Sequence, residues 1–204
     1  MPRDEYAPHC VGHHTRARAV STIRHLTWND LTAGLDRIRA SPLDQGKLEL
    51  IVRRPSIEQR EVLQEGELDR GLGLVGDTWH QRRSSRTPDG SRHPDMQLNI
   101  MNARAIALLA QDKERWPLAG DQLFIDLDLT EDNLPTGTQL RLGSAVIEVT
   151  SQPHTGCEKF AARFGPDATK FVNSPEGKRL RLRGINAKVV HAGTIRVGDL
   201  AHKL

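Results

Sequence analysis

The sequence predicts a mainly β fold with peripheral helices (α+β), built on a curled antiparallel or mixed, barrel-like sheet. About seven or eight short segments alternate apolar and polar residues, and most are joined by tight turns. Roughly three or four short segments show the helical spacing of apolar residues. Regular alternation of strands and helices is lacking over most of the chain, which disfavours a doubly wound parallel sheet.

The chain is predicted to divide into an N-terminal extension and one domain. Residues 1–45 would form a polar arm and one helix, and residues 46–204 a barrel-like domain with a substantial core. The helix is expected to begin at Thr27, because a hydroxyl followed by the Asp30 carboxylate is a capping-box pattern. Its buried face would carry Leu31, Leu35 and Ile38.

The composition argues against several classes of protein. Lysine and arginine (29) exceed aspartate and glutamate (26) by only 3, and aromatics are 4%, so nucleic-acid binding is not expected. No run of roughly 18 apolar residues could span a membrane, and the N-terminus has no apolar signal core. Two cysteines do not make a disulfide framework, so we expect a cytoplasmic protein.

The N-terminal arm contains a small group of potential metal ligands, Cys10, His13 and His14. A structural zinc site would need a second pair of ligands at a defined spacing, and none follows. We therefore favour a loosely packed arm over a metal site.

The first strand is predicted at Lys47–Arg53. Its alternating apolar residues would share one side of the sheet: Leu48, Leu50 and Val52. Pro55 ends the strand, and the Ser-x-x-Gln pattern at 56–59 favours a short capped helix that ends near Leu63.

A glycine-punctuated segment, GLGLVGDTWH, occupies residues 71–80. It is neither a G-x-G-x-x-G fingerprint nor a P-loop, so it does not predict nucleotide binding. Asp77 is expected to hold the turn rather than touch a ligand, because local side-chain bonds usually fix Gly-Asp turns.

The loop at 81–95 is polar and cationic, with Arg82, Arg83, Arg86, Arg92 and His93. Such a loop is either solvated or lies beside an anion site.

The second half of the chain gives clearer local signals. A buried strand is predicted at Met96–Met101, followed by Asn102 as the N-cap of a helix over Ala103–Lys113. Residues 139–150 predict a hairpin around a two-residue Gly-Ser turn. The chain would end in two strands joined by Ala-Gly: Ile185–His191 and Thr194–Val197.

The stretch Val149–Phe164 carries the strongest indication of function. A strand ends, a tight turn follows, and two phenylalanines recur at helical spacing, so Cys157 should lie at the start of a helix. Free N–H groups and the helix dipole favour the thiolate there, which is the nucleophilic and metal-binding form. Positive charge on Lys159 and His154 would also favour the thiolate form of Cys157. Free cysteines are also often buried as small hydrophobes, so this context alone leaves both interpretations open.

Three blocks of sequence, in this order, resemble the MOSC domain, the family typified by the C-terminal domain of molybdenum cofactor sulfurase. The first is GLVGDTWH (73–80), similar to the Gly-x-x-Gly-Asp-x-x-His pattern of the family. The second is RLGSAVIEVTSQPHTGCEKF (141–160), a hairpin and proline-led turn before a single cysteine. The third is GINAKVVHAGTIRVGDL (184–200), a closing strand pair ending in Gly-Asp. The resemblance covers residues 47–204 and implies the MOSC β-barrel fold.

The chain departs from the family pattern at two places. Many members have Gly-Glu-Asn-Leu where residues 131–134 read Glu-Asp-Asn-Leu, so Asn133 and Leu134 match but the glycine is lost. Many members also have Pro-Arg before the cysteine, where this chain has Pro153 and His154. A titratable group thereby replaces a permanently charged bidentate donor.

The resemblance implies that Cys157 is the catalytic residue and a ligand of molybdenum in a molybdopterin cofactor. Such enzymes reduce N-hydroxylated small molecules with electrons from a redox partner protein, and one thiolate suffices when a dithiolene supplies the other sulfur ligands. The residues expected to bind the cofactor are His80, Arg82, Arg83, Asn133, His154, Thr155 and Lys159. Arginines suit the pterin phosphate, whereas Lys159 lies either near an oxo group or in solvent.

Two other functions fit the same residues. In one, Cys157 carries a persulfide delivered by a pyridoxal-phosphate cysteine desulfurase, and the protein transfers sulfur. In the other, the domain binds an anionic ligand without catalysis, and Cys157 is merely buried.

Overall fold

The computed structural model describes residues 24–204, and this part of the chain is organised around a closed β-barrel. Its strands are β1 (Gly46–Arg53), β2 (Glu61–Leu63), β3 (Glu65–Asp69), β4 (Gly73–Leu74), β5 (Leu98–Asn102), β6 (Leu123–Asp126), β7 (Gln139–Leu142), β8 (Ala145–Val149), β9 (Ile185–His191), β10 (Gly193–Arg196) and β11 (Leu200–Lys203). Its α-helices are α1 (Trp28–Ala33), α2 (Leu35–Arg39), α3 (Ala103–Ala110), α4 (Glu158–Phe164), α5 (Pro166–Asn173) and α6 (Pro175–Arg179). Short 3-10 helices lie at Thr78–Gln81, Pro94–Met96 and Lys113–Ala119.

Seven strands form the barrel in the order β11-β7-β8-β9-β5-β6-β1, and pairing of β1 with β11 closes it. Only the β5–β6 pair within it is parallel. Strand β2 extends from β1, and a second small sheet has the order β10-β3-β4. The predicted mainly β, barrel-like fold with peripheral helices is confirmed. The division of the chain after residue 45 stays a prediction.

Two hydrophobic clusters stabilise this architecture. One fills the barrel with aliphatic side chains, which include Leu48, Ile51, Ile100, Ile125, Leu140, Ile147 and Ala187. The other lies between the barrel and the helices and holds the aromatic side chains Trp116, Phe124, Phe160, Phe164 and Phe171. The helices therefore cover one outer face of the barrel, and Phe160 and Phe164 anchor α4 to it.

The prediction that Leu48, Leu50 and Val52 share one side of β1 is wrong. The pairing of β1 with β6 shifts register between Leu48 and Leu50. Leu48 and Ile51 therefore lie in the barrel interior, whereas Leu50 and Val52 pack beneath the helices. A bulge of this kind reverses the alternation that a period of two would give.

The predicted start of the N-terminal helix is confirmed, but two short helices replace the single one that was expected. Thr27 accepts a hydrogen bond from the Asp30 backbone N–H (3.3 Å), and the Asp30 carboxylate accepts one from the Thr27 N–H (2.9 Å). Gly34 then separates α1 from α2. The short helix predicted after 56–59 is wrong, because residues 61–63 form β2 and pair with β1.

Two other local predictions are confirmed. The Asn102 side chain caps α3 by accepting from the N–H groups of Arg104 and Ala105, although the helix ends earlier than predicted. The hairpin of β7 and β8 turns at Gly143, which adopts a left-handed φ of 58°. Turns of this type favour glycine because it has no Cβ.

The end of the chain differs from the predicted strand pair. Strand β9 has the predicted bounds, but it pairs with β5 and β8. Strand β10 instead leaves the barrel and pairs with β3. The following strand, β11, was not predicted and closes the barrel.

The hypothesis about Cys10, His13 and His14 lies outside the described residues. Within residues 24–204, no helix combines the length and apolar character needed to cross a membrane.

Candidate active site

Cys157 lies where the loop after β8 meets α4, as the sequence predicts. It is the N-cap of this helix, with extended backbone angles (φ −121°, ψ 178°), and its side chain makes no capping hydrogen bond. The residue is exposed and forms no disulfide. The alternative that Cys157 is a buried small hydrophobe is therefore wrong.

Asn173 on α5 fixes the turn that presents Cys157. Its side-chain oxygen accepts from the Gly156 N–H (2.9 Å), and its amide nitrogen donates to the Gly156 carbonyl (3.0 Å). A Cβ on Gly156 would lie 2.9 Å from a methyl group of Val172, so only glycine fits this close approach without a shift. The position of the thiol thus depends on two hydrogen bonds that join α5 to the loop before α4.

Cys157 faces a cavity of about 700 Å³ that lies between the end of β1 and α4. Six cationic side chains line it: Arg54, Arg60, Arg82, Lys159, Arg163 and Arg183. Among the described lining residues only Glu58 is a carboxylate, and His154 and Asn99 add polar groups. A concave site of this size and charge is suited to an anionic small molecule.

Arg54 forms the floor of the cavity through a buried ion pair. Its guanidinium donates to both oxygens of Asp77, at 2.7 and 2.9 Å, and to the Asn99 side chain and the Gly120 carbonyl. Burial alone would raise the pKa of Asp77, but hydrogen bonds and charge from Arg54 lower it overall. Asp77 also caps the 3-10 helix by accepting from the Trp79 N–H (2.8 Å), which agrees with the predicted structural role.

A second buried pair joins Arg183 on the β9 side to Asp121. Nη1 of Arg183 donates to both Asp121 oxygens (2.9 and 2.7 Å), and Nη2 donates to the Ala119 carbonyl. Burial raises the pKa of Asp121, and the Arg183 charge opposes that rise. The Nε atom of Arg183 is buried and has no hydrogen-bond partner within the described residues.

His154 lies against this pair and is neutral. Its Nδ1 is 3.5 Å from an Asp121 oxygen, but no hydrogen bond forms there among the described groups. Burial, followed by the positive charges of Arg183, Arg54 and Arg86, lowers the pKa of His154 well below 6.5. The contact with Asp121 is therefore not an ion pair at neutral pH. A neutral imidazole thus lies at the position where the resemblance led us to expect a permanently charged arginine.

Arg60 and Arg82 differ from the two buried arginines, because neither pairs with a carboxylate among residues 24–204. Arg60 is half-buried and donates to the carbonyls of Pro117 and Gln59. Arg82 is exposed at the rim and contacts the Thr78 hydroxyl. Loss of hydration against the cavity wall, together with the charge of Arg54, lowers the pKa of Arg82 to about 10. Both cations remain available to an anion at neutral pH.

The sequence-predicted site residues divide into two groups of equal size. Four of them line the cavity: Cys157, His154, Arg82 and Lys159. The other four do not line it: His80, Arg83, Asn133 and Thr155. Arg83 lines a cleft of about 120 Å³ that shares Arg82 and Arg54 with the cavity, and Thr155 lines a cleft that shares His154.

His80 and Asn133 are engaged by the chain itself. The His80 ring contacts the Asp77 carbonyl (3.0 Å) and the Gln81 side chain. The Asn133 amide donates to the Asp128 carbonyl and accepts from Lys203, in a separate cleft. The structure therefore does not bring these two residues to Cys157.

Sequence reasoning missed Arg54, Arg60, Arg163 and Arg183, which supply most of the positive charge. A weak signal existed for Arg54, since it directly precedes Pro55 at the end of a strand. The other three carry no local motif, and pairing of distant segments brings them together. Among residues 24–204, no group of three or more His, Cys, Asp or Glu side chains could hold a metal ion alone.

Comparison with solved structures shows the fold. The structure superimposes on the YUAD protein from Bacillus subtilis with a TM-score of 0.54 and 20% identity, covering 78% of this chain and 96% of that one. It superimposes on YiiM from Escherichia coli with a TM-score of 0.50 and 22% identity, covering 78% and 69%. A third crystal structure, of a hypothetical protein, gives a TM-score of 0.52 and 22% identity, covering 78% and 68%. No curated protein sequence matches the chain.

The sequence profile of the MOSC domain matches residues 89–201. This segment contains strands β5 to β10, the first two residues of β11 and the cysteine at the start of α4. With the closed barrel and the position of Cys157, the match identifies the chain as a member of the MOSC domain family.

Proposed function

We propose that this MOSC protein binds a molybdenum–pterin cofactor through Cys157 and reduces the N–O bond of N-hydroxylated small molecules. One observation carries the proposal: an exposed thiol faces a cavity of about 700 Å³ in which six cations and one carboxylate lie. The family relationship supports a molybdenum site of this kind, and the cavity is large enough for a ligand of drug size.

The donor set of the cavity fits such a cofactor. A cysteine thiolate is a soft ligand suited to a metal that takes its remaining ligands from a dithiolene and oxygen. The half-buried Arg60 and the exposed Arg82 lack carboxylate partners among the described residues, and guanidinium groups bind phosphate with charge-assisted hydrogen bonds. Two buried polar atoms, Nε of Arg183 and Nδ1 of His154, also lack partners there, which is uncommon in a protein interior.

Each part of the chain would have a distinct task. When bound, the cofactor supplies the two-electron chemistry of the reaction. Cys157 holds the metal, Arg82 and Arg60 bind the phosphate, and Asn173 keeps the cysteine turn in place. The buried pair of Arg54 and Asp77 keeps the cavity wall rigid.

The reaction needs reducing equivalents from outside this chain. Reduction of an N-hydroxylated compound consumes two electrons and two protons, breaks the N–O bond and releases water. The electrons would come from a redox partner protein, as the family resemblance implies. In the sulfur-transfer alternative the partner is instead a cysteine desulfurase, and the exposure of Cys157 favours this alternative over burial of an inert thiol.

The proposal is tested by the metal content of protein purified from a host that makes the cofactor. We expect molybdenum bound to wild-type protein and to the control variant Cys10→Ala, and little in Cys157→Ala. The loaded protein should reduce an amidoxime with a reduced viologen dye as electron donor.

Each other outcome favours a different function. Cyanide-labile sulfur on Cys157 without molybdenum would establish sulfur transfer. If the protein carries neither molybdenum nor cyanide-labile sulfur, and shows neither reductase nor sulfur-transfer activity, it would be a non-catalytic anion-binding module. That result would contradict the proposal.

A further inference from the structure

Glu58 occupies a special position in the cavity, because it is the lone carboxylate among the described lining residues. It lies on the exposed loop between β1 and β2, next to Ile57, a residue that is 88% exposed. Its backbone adopts a left-handed φ of 61°, which is uncommon for a residue other than glycine. The loop between β1 and β2 therefore lines the cavity but remains exposed to solvent.

The Glu58 carboxylate binds two cations of α4, the helix that Cys157 precedes as the N-cap. One oxygen accepts from Lys159 Nζ (3.3 Å), and the other accepts from Arg163 Nη2 (2.7 Å). Lys159 and Arg163 are four residues apart, so they lie on the same face of α4. Glu58 therefore joins the loop to the helix across the mouth of the cavity.

These contacts are easily exchanged for contacts with another anion. Glu58 is 59% exposed and Lys159 is 72% exposed, so their ion pair contributes little stability, whereas Arg163 is only 19% exposed and makes the shorter contact. Arg163 would keep its orientation without Glu58, because Nη1 also donates to the Leu118 carbonyl (2.8 Å). The binding geometry for a carboxylate would persist after Glu58 has left.

The local charge balance also favours a second anion. Arg60 lies near this pair, and the charge of Arg163 contributes to a lowered pKa of Arg60, after the larger effect of burial. Within the described residues that line the cavity, three cations, Arg60, Lys159 and Arg163, therefore lie near a single carboxylate, which pairs only with Lys159 and Arg163. Such an excess beside an open cavity attracts anionic ligands.

We infer that Lys159 and Arg163 form a subsite for an anionic group of the substrate, and that Glu58 fills this subsite until the substrate displaces it. The inference rests on the proposed function for its substrate class, an N-hydroxylated compound that carries a carboxylate. Because Lys159, Arg163 and Cys157 line the same cavity, the carboxylate would be held in the cavity that the metal ligand faces. The phosphate of the cofactor has the same chemistry and is the competing occupant.

The subsite is tested first in metal-free protein, with two probes of Cys157 that differ in charge. Iodoacetate carries a carboxylate and iodoacetamide is neutral, and mass spectrometry of the Cys157 peptide excludes any contribution from Cys10. We expect Glu58→Gln to raise the ratio of the iodoacetate rate to the iodoacetamide rate about threefold. Arg163→Gln should lower the ratio below that of the wild type.

The matched control is Glu61→Gln. Glu61 is also an exposed carboxylate, but it pairs with Arg53 and does not line the cavity. The control removes the same charge and should leave the ratio unchanged. An equal rise in both variants, or no rise in Glu58→Gln, would overturn the subsite.

The substrate class is tested in molybdenum-loaded protein with two amidoximes that differ only by a carboxylate. Glu58→Gln should lower KM for the carboxylated compound about threefold and leave KM for the neutral one unchanged. Higher molybdenum content in Glu58→Gln without this discrimination would assign the subsite to the cofactor phosphate and overturn the substrate assignment. The alkylation ratio can also change as expected in protein that never takes up molybdenum. In that case the missing molybdenum would overturn the proposed function, whereas the changed ratio would still support the subsite.

Discussion

Two pairs of arginines face the same cavity, but only one pair is neutralised by the protein. Arg54 and Arg183 are buried, and each donates to both oxygens of a buried aspartate. Arg60 and Arg82 are more accessible and have no carboxylate partner within residues 24–204. The difference separates arginines that shape the wall from arginines that are available to a ligand.

The two pairs should respond to mutation in opposite ways. A buried ion pair contributes little net stability, but removal of one partner leaves an uncompensated buried charge and is strongly destabilising. An accessible cation can be removed at little cost in stability, and its loss should appear in anion binding instead.

The largest effect is expected from Asp77→Asn, which leaves the Arg54 guanidinium buried without its counter-ion. We expect the free energy of unfolding to fall by about 3–5 kcal/mol, measured by urea denaturation. Asp36→Asn, at an exposed helix position, is the control and should change it by less than about 0.5 kcal/mol. A similar small loss for Asp77→Asn would place Arg54 among the ligand-binding arginines.

A smaller effect, dependent on pH, is expected from His154. Its pKa is lowered in the folded protein, so the unfolded chain binds the proton more tightly and stability falls as the pH drops below 6.5. Between pH 6.5 and 5.5 this group should remove about 1 kcal/mol from the free energy of unfolding. His154→Gln should flatten the wild-type profile by that amount. An unchanged slope would show that folding does not lower the pKa of His154, and a steeper loss of stability in His154→Gln would show that the ring is protonated in the folded state and paired with Asp121.

The smallest effect on stability is expected from Arg82→Gln, which should change the free energy of unfolding by less than about 0.5 kcal/mol. Binding of pyrophosphate to the metal-free protein, measured by calorimetry, should weaken about tenfold, because a charge-assisted hydrogen bond is lost. The control is Arg141→Gln, an exposed arginine on β7 that does not line the cavity. Equal weakening in both variants would indicate a general effect of net charge.

The features predicted correctly from the sequence depend on residues close together in the chain. The Thr27 capping box, the Asn102 N-cap and the Gly143 turn each involve a few consecutive residues. The position of Cys157 belongs to the same class, since a turn and two helically spaced phenylalanines define it. Such signals are local, so no knowledge of the tertiary fold is needed to find them.

The features that were missed depend on distant segments. Arg183 and Asp121 are separated by 62 positions, and Arg54 and Asp77 by 23, so no motif joins either pair. The bulge in β1 depends on its pairing with β6, and it moves Leu50 to the other face. Local sequence patterns therefore do not predict most of the positive charge around Cys157, because the pairing of distant strands brings these arginines together.

The central claim is that the sulfur of Cys157 is a ligand of molybdenum, and X-ray absorption at the molybdenum edge tests it most directly. In Cys157→Ser the hydroxyl oxygen can take the place of the thiolate, so, unlike in Cys157→Ala, enough cofactor should bind to compare its spectrum with that of the wild type. We predict that one sulfur ligand of the wild type is replaced by an oxygen ligand in Cys157→Ser. Identical sulfur coordination in the two proteins would contradict the assignment.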